Sequence, residues 1–313
     1  MSNPPVAFVT PAAAPAWKRW LVYSPPARIV IFVLAMALLA VAFGAVDHVT
    51  FAGEAHMSLA SPVGVAVYLT TMALPALLAY LFLVRVVERR PVGELSVRRL
   101  PRGLLLGVLG GLALFSAVVG TLWLLGSYHV TGTNPGAHWL LALLSVGLGA
   151  GVGEEIITRG VLFRIVEEGL GTWWALAISA LFFGLAHGHN PGATAWSSAA
   201  IAIEAGLLFA LLYHLTRSLW PCIGLHAAWN FAQGTIYGIP VSGTHADGWL
   251  VSTRSGPDWL SGGTFGAEAS VVALVLCTCV SAVLLAIALR RGSIVPPAWR
   301  RRVAIPDAPA LPR

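Results

Sequence analysis

The chain has 313 residues, of which 57% are hydrophobic and only 10% are charged. A soluble domain usually carries about 25% charged residues, so this composition excludes an ordinary soluble protein and indicates an integral membrane protein. The net charge of +6 does not indicate a nucleic-acid partner, because the basic residues occur where membrane topology would put them.

Both ends of the chain are polar. Residues 1–27 are rich in proline and contain no continuous apolar stretch, which argues against a cleaved signal peptide and predicts a cytoplasmic lead-in. Residues 291–313 are rich in arginine and proline and are predicted to form a cytoplasmic tail. The residues between them, 28–290, are predicted to form a single transmembrane domain.

Eight apolar segments approach or exceed the roughly 20 residues that a helix needs to cross the hydrocarbon core. The predicted fold class is therefore all-α, a polytopic membrane helix bundle of about eight transmembrane helices. The fifth and seventh segments are short and carry polar residues, so on hydropathy alone either could be re-entrant. The eight segments are 28–47, 63–86, 103–126, 138–166, 173–188, 193–215, 219–237 and 268–289.

The distribution of basic residues predicts the orientation of the bundle. With eight crossings and the N-terminus inside, both termini are cytoplasmic, and only Arg254 falls in an extracytoplasmic loop, with Arg159 inside the membrane. Seven crossings would put the basic cluster at 290–302 on the wrong side. We therefore expect a multi-pass protein of the inner (plasma) membrane, with the extracytoplasmic loop 238–267 as either a lid or a mobile loop.

The fourth segment contains a cluster of charged residues inside the predicted hydrocarbon core, where insertion of a charge is unfavourable. A charged side chain in hydrocarbon costs roughly 2.5–3.5 kcal/mol on insertion scales, yet Glu154, Glu155 and Arg159 all lie at the end of this apolar run. Successive helical residues are about 100° apart, so the two glutamates cannot share a face. Glu155 and Arg159 form an (i, i+4) pair, which leaves Glu154 unpaired in its own helix. The alternative interpretation is a purely structural network.

Later segments add two imidazoles and an amide. His187 ends the fifth segment, and His226 and Asn230 lie four residues apart on the seventh, hence on one helix face. A histidine near a helix end is often a capping residue, and a His–Asn pair can simply bond another helix. Gathered with Glu154 inside a bilayer, these groups instead predict water chemistry in the membrane. Glu204, in the sixth segment, could support the site, gate a substrate or face the bundle by chance.

The chain lacks the motifs of other classes of hydrolase. The sequence contains no His-Glu-x-x-His metalloprotease motif and no Gly-x-Ser-x-Gly nucleophile elbow. An aspartyl dyad inside the membrane is also excluded, because the four aspartates fall at a span end, in loops or in the tail. They are Asp47, Asp247, Asp258 and Asp307.

The three polar motifs resemble, in type and order, those of the CPBP family, the CAAX proteases and bacteriocin-processing enzymes also called the ABI family. Glu154-Glu155-Ile-Ile-Thr-Arg159 corresponds to its Glu-Glu-x-x-x-Arg pattern. Phe183-Gly-Leu-Ala-His187 corresponds to Phe-x-x-x-His, and His226-Ala-Ala-Trp-Asn230 to His-x-x-x-Asn. The likeness covers about residues 138–232, which we interpret as the catalytic core.

The resemblance implies an intramembrane endopeptidase whose site opens to the cytoplasm. By analogy Glu154 is the general base for a water that His187 helps to hold. His226 and Asn230 would stabilise the oxyanion of the intermediate, and Glu155 with Arg159 would position the helix and tune Glu154. This mechanism requires no cofactor. The resemblance also leaves open a divalent metal such as zinc, with Glu154, His187 and His226 as its ligands.

The predicted substrate is a peptide or a membrane-anchored protein reached in the lipid bilayer, and the sequence makes no prediction of oligomeric state. The main alternative is a non-proteolytic membrane protein of the same family, such as a bacteriocin-immunity factor or a scaffold. A proton-coupled transporter is less well supported, because no chain of ionisable residues continues to the extracytoplasmic face.

The rise of a helix adds one geometric condition. At ~1.5 Å per residue, Glu154 and His187 lie ~20 Å from the predicted cytoplasmic ends, whereas His226 lies only ~10 Å from Leu219. The three groups can meet only if the segment 218–222 dips into the membrane or if the fourth and fifth helices project into the cytoplasm.

Overall fold

The chain folds into a bundle of helices with a short sheet at one end, as seen in a computed structural model that describes residues 7–51 and 61–301. The predicted helical fold class is confirmed for that part of the chain. In chain order the helices are α1 (Ala16–Leu21), α2 (Pro25–Thr50), α3 (Pro62–Val87), α4 (Val97–Leu124), α5 (Trp139–Leu170), α6 (Thr172–Ala186), α7 (Ala195–Thr216), α8 (Trp220–Phe231), α9 (Asp258–Ser261) and α10 (Val271–Arg290).

Six of these helices are long and apolar enough to cross a membrane, counted over the described residues. They are α2, α3, α4, α5, α7 and α10. Helices α6 and α8 match the short fifth and seventh segments. Helix α6 has 15 residues and is ~22 Å long. Helix α8 continues beyond Phe231 as the π-helical turn Ala232–Ile236 and is ~25 Å long in all. Each is shorter than the ~30 Å hydrocarbon core. The count of eight spans and the N-in, C-in orientation therefore remain predictions.

Parts of three predicted regions lie outside the described residues. These regions are the lead-in 1–27, the loop 48–62 and the tail 291–313.

Helix α8 lies at the centre of the bundle because glycines allow α4 to approach its backbone. Gly103, Gly107 and Gly111 recur every four residues along α4, a spacing that lets membrane helices pack closely. A Cβ atom at Gly107 would overlap the carbonyl oxygen of Pro221 and lie 2.8 Å from the backbone nitrogen of Leu225. Ten consecutive residues of α8, 221–230, are consequently buried.

Several long helices contain π-helical turns, in which the hydrogen bonds run from i to i+5. In α5 they cover Leu143–Gly149 and Ile156–Phe163 and so flank the two glutamates on both sides. In α7 the turn covers Ala202–Leu207. Such turns often mark functional sites, and those of α5 lie in the helix that carries Glu154 and Glu155.

One end of the bundle is held together by a buried network of arginine and glutamate. Arg28 of α2 lies 2.8 Å from Glu88, and Arg164 of α5 lies 2.9 Å from the same carboxylate. Glu94, in the loop after α3, binds Arg90 at 2.9 Å. Burial alone would raise the pKa of Glu94, but the guanidinium groups of Arg90 and Arg164 hold it below its ordinary value. This is the end that the sequence places in the cytoplasm.

The opposite end is closed by the two-stranded sheet and the chain that follows it. Strand β1 (Tyr128–Thr133) pairs antiparallel with β2 (Leu250–Arg254). The segment 238–267, predicted to be a lid or a mobile loop, packs onto the bundle and buries Ile239 and Phe265. It contacts the turn after α6 closely, since a Cβ atom at Gly243 would overlap the carbonyl oxygen of Pro191.

Candidate active site

Glu155 and Arg159 form the predicted pair within α5. Arg159 Nη1 lies 3.0 Å from Glu155 Oε1, and neither side chain is exposed. The second terminal nitrogen of the guanidinium donates to the carbonyl oxygens of Ala205 and Gly206, at 3.0 and 3.2 Å. Both carbonyls belong to the π-helical turn of α7. Arg159 therefore ties the helix of the two glutamates to α7.

Glu155 has a second partner that the sequence did not predict. Its Oε1 lies 2.9 Å from Nδ1 of His226 on α8. We assign the proton to Nδ1, which then donates to the carboxylate and leaves Nε2 directed into the site. The bond joins two helices, and no spacing within a single segment indicates how those helices face each other.

Glu154 faces both imidazoles. Its Oε2 lies 3.8 Å from His187 Nε2 and 3.9 Å from His226 Nε2. Its side chain is 29% exposed, against 0% for Glu155, and the predicted division into one bound and one free carboxylate agrees with this difference. Oε2 itself is buried and has no hydrogen-bond partner among the described residues. The separations are too long for direct hydrogen bonds, but one small molecule such as water can bond all three groups.

His187 is oriented by the backbone of its own helix. It lies just beyond α6, in the short turn His187–His189, and its Nδ1 is 2.8 Å from the carbonyl oxygen of Phe183. Nδ1 is therefore the donor and Nε2 is directed at Glu154. Phe183, the first residue of the Phe-x-x-x-His motif, also packs against the imidazole, with ring centroids 4.6 Å apart.

Asn230 lies one helical turn beyond His226 and is attached to α5. Its Nδ2 donates to the carbonyl oxygen of Val146 at 2.8 Å. The amide has two N–H groups, so one is used by Val146 and the other is free to face the site. Asn230, His187 and His226 line one common cavity.

The cavity also contains two acids outside the three motifs. It has a volume of about 30 Å³ and is bordered by Glu204 of α7 and by Glu268, which precedes α10. Glu268 was not among the predicted site residues, because it lies at the edge of an apolar segment after a long loop. Only the packing of that loop brings it to the site.

A second, wider cavity opens beside Glu154 and His187. It has a volume of about 270 Å³, lies between α3, α5 and α6, and is bordered by Glu154 and His187 together with apolar side chains such as Met72 and Phe182. Phe182 is 44% exposed on the outside of the bundle. Glu154 is therefore accessible from the side of the bundle.

The predicted zinc ligands do not fit zinc in this arrangement. Two ligands of one tetrahedral zinc ion lie roughly 3.4 Å apart, since each is about 2.0–2.1 Å from the metal. The carboxylate of Glu154 is 3.8 and 3.9 Å from the imidazoles of His187 and His226. Across residues 7–51 and 61–301, no three His, Cys, Asp or Glu side chains are grouped so as to hold a metal ion.

The segment that carries these residues matches a known family. Residues 136–232 match the family described as Type II CAAX prenyl endopeptidase Rce1-like, which confirms the resemblance inferred from the motifs. The match covers α5 to α8 and contains all six predicted site residues. It indicates an intramembrane function of the CAAX protease type. No curated protein matches the chain.

Proposed function

We propose that this protein is an intramembrane endopeptidase that hydrolyses a peptide bond with a water activated by Glu154. The observation that carries the proposal is the position of Glu154 Oε2, which is buried, unbonded and 3.8 and 3.9 Å from two imidazole nitrogens. A carboxylate and two imidazoles around one point can hold a water and take its proton.

The proposed reaction begins when water bound between Glu154 and His187 gives its proton to the carboxylate and attacks the scissile carbonyl carbon. The oxyanion that forms accepts hydrogen bonds from His226 and Asn230, and each such donor contributes about 3 kcal/mol in a preorganised site. Glu154 then passes the proton to the nitrogen of the leaving amine as the C–N bond breaks. Water supplies the OH of the new acid and one H of the amine, so the atoms balance.

Glu155 and Arg159 act on this chemistry through position. Glu155 accepts from His226 Nδ1, which fixes the imidazole ring and supports the charged form of His226 as an oxyanion donor. Arg159 holds Glu155 from the other side. These contacts support a positioning role for the pair.

The proposed substrate is a peptide or a membrane-anchored protein of the inner membrane. The opening between α3, α5 and α6 supports lateral access, because its apolar lining at Met72 and Phe182 lies beside Glu154. A chain segment in the bilayer can reach the carboxylate there without first entering water.

The proposal is tested by Glu154→Gln, which keeps the shape of the side chain and removes the base. Membranes from cells with wild-type or variant protein are compared for new protein N-termini, and peptides spanning each cleaved bond are then assayed with purified protein. We expect the variant to fold and its cleavage rate to fall about 10²–10⁴-fold, the usual contribution of a general base. Glu168→Gln is the matched control, since Glu168 lies on the same helix and binds only the remote arginines.

Two results would contradict the proposal. Full activity of Glu154→Gln would remove Glu154 as the base, and the absence of any cleavage by the wild type would favour the immunity or scaffold alternative. The zinc chelator 1,10-phenanthroline serves as a further arm. We expect cleavage to continue in its presence, because Glu154, His187 and His226 are not spaced for zinc.

A further inference from the structure

Glu204 is a buried acid without a partner. It lies in the π-helical turn of α7 and is only 2% exposed. Within residues 7–51 and 61–301, no hydrogen bond or ion pair reaches its carboxyl group. Buried polar groups are nearly always bonded, and ionisable groups inside membrane proteins usually mark functional sites. This carboxyl group therefore requires an explanation that packing does not supply.

The carboxyl group borders the same cavity as the proposed catalytic groups. That cavity, of about 30 Å³, also touches His187, His226 and Asn230. About two water molecules fit in this volume, or the terminal ammonium and last methylene of a long side chain. Its remaining wall is mainly apolar, formed by Leu114, Ile201, Leu208, Leu225 and Trp229.

The cavity is bordered by two acids, and no lysine or arginine of residues 7–51 and 61–301 lines it. Glu268 borders it as a second acid and accepts a hydrogen bond from the backbone nitrogen of Ser242. The nearby basic groups are engaged elsewhere. Arg159 binds Glu155 and two carbonyls of α7, and Arg254 donates to the carbonyl oxygen of Ser261. A buried acid without a counter-charge tends to stay protonated, and a cation entering this space would stabilise its ionised form.

We propose that Glu204, assisted by Glu268, forms a specificity pocket for a lysine side chain beside the scissile bond of the substrate. This inference rests on the proposed proteolytic function. The methylene groups of lysine can pack against the apolar wall while the charged end stays in a polar environment. The carboxyl group of Glu204 provides that environment and can bond the ammonium. The small volume favours the compact ammonium over the wider guanidinium of arginine.

The test uses the purified full-length protein and peptides that differ at one position. A cleaved peptide is resynthesised with lysine or with uncharged norleucine at each of the three positions on either side of the scissile bond. We expect the wild type to prefer lysine at one position by at least tenfold in kcat/KM. Glu204→Gln should lower kcat/KM for the lysine peptide relative to the norleucine peptide until the preference is lost, whereas Glu168→Gln should keep the preference of the wild type.

Binding is measured in parallel with labelled forms of the same peptides and the uncleaving Glu154→Gln protein. The lysine peptide should bind at least tenfold more tightly than the norleucine peptide, and a second substitution at Glu204 should remove the difference. Equal binding of both peptides, or a lysine preference that survives Glu204→Gln, would overturn the pocket. Loss of cleavage in Glu154→Gln with no lysine preference in the wild type would leave the proposed function intact and remove only this inference. Thermal unfolding of each variant checks that it is folded.

Discussion

A single oxygen of Glu155 joins two helices to the site. Oε1 lies 3.0 Å from Arg159 Nη1 and 2.9 Å from His226 Nδ1, so one atom fixes both the guanidinium on α5 and the imidazole on α8. Removing one partner of a buried ion pair leaves the other charge uncompensated, at a cost of about 3–5 kcal/mol. The orientation of His226 therefore depends on a fully buried carboxylate.

Arg159→Lys tests this dependence at the level of one residue. Lysine keeps the charge, but it cannot bond Glu155, Ala205 and Gly206 at once because its ammonium is compact and lacks the planar fork of arginine. We expect the variant to fold with a lower Tm and to lose about 10-fold or more in kcat, since misplacing a catalytic group is costly. Both quantities are measured on purified protein.

Arg164→Lys is the matched control for that experiment. Arg164 lies on the same helix, is equally buried and binds Glu88 and Glu168, but it is remote from the catalytic groups. Arg164→Lys should have a lower Tm than the wild type, without a comparable decrease in kcat. If both variants lose kcat to the same extent, Arg159 acts only on stability.

At this scale the sequence predicts bonds within a helix and misses bonds between helices. The pairing of Glu155 with Arg159 follows from the rotation per residue, which is the same in every α-helix. The contact of Glu155 with His226 depends on how α5 and α8 face each other, and no local pattern encodes that angle. The six predicted site residues can be named from their chemistry, whereas Glu268, which borders a cavity with three of them, cannot.

At the scale of elements, the contact between α4 and α8 positions His226. Gly107 lets the two backbones meet, and a larger side chain there would push α8 away from the glutamates. We expect Gly107→Val to destabilise the protein by about 3 kcal/mol or more, the upper range for overpacking, and to reduce cleavage. Unfolding in detergent measures the first effect and the peptide assay the second.

The same helix provides the control for this substitution. A Cβ atom at Gly120 would meet nothing within 4 Å, so Gly120→Val should change stability by much less. Because both changes replace glycine by valine in α4, their difference isolates the contact with α8. Equal stability of the two variants would show that the close approach of α4 to α8 is not required.

The elements differ from the sequence prediction for physical reasons. Hydropathy predicts where apolar segments lie, and all eight predicted segments are helical. It does not predict π-helical turns, which depend on local hydrogen bonding and contacts with neighbours. Nor does it predict that the carbonyls of Ala205 and Gly206 bond Arg159. Glu154, His187 and His226 do lie together. The 32 residues of α5 form ~48 Å of helix, longer than the ~30 Å hydrocarbon core, and whether α5 projects or the segment 218–222 dips into the membrane stays a prediction.

At the scale of the whole molecule, the basic residues predict which end of the bundle faces the cytoplasm. Cysteine labelling at each end tests that orientation. In a variant without native cysteines, Thr131→Cys marks the sheet and Arg98→Cys marks the first turn of α4; both positions are exposed. With the predicted N-in, C-in orientation, a membrane-impermeant maleimide should label position 131 in intact cells and position 98 only after lysis. The reverse pattern would contradict the orientation.

The orientation also bears on where the site opens. Ser242 and Glu268, from the segment at the sheet end, border the small cavity of the site. In the predicted orientation that end is extracytoplasmic, so a site reached from the cytoplasm would have to be entered from the side, through the opening between α3, α5 and α6. Labelling of a cysteine at Met72 from each side, with and without peptide, measures this access.

The buried network of arginine and glutamate affects more than stability. Only Arg28 and Phe32 of α2 are buried, so α2 is attached to the bundle mainly at its first turns. Farther along, Thr70 of α3 donates to Asp47 of α2 at 2.6 Å, which couples the two helices. Since α3 forms one side of the lateral opening, the pair α2–α3 connects the charged network at one end of the bundle to the lining of the path to Glu154.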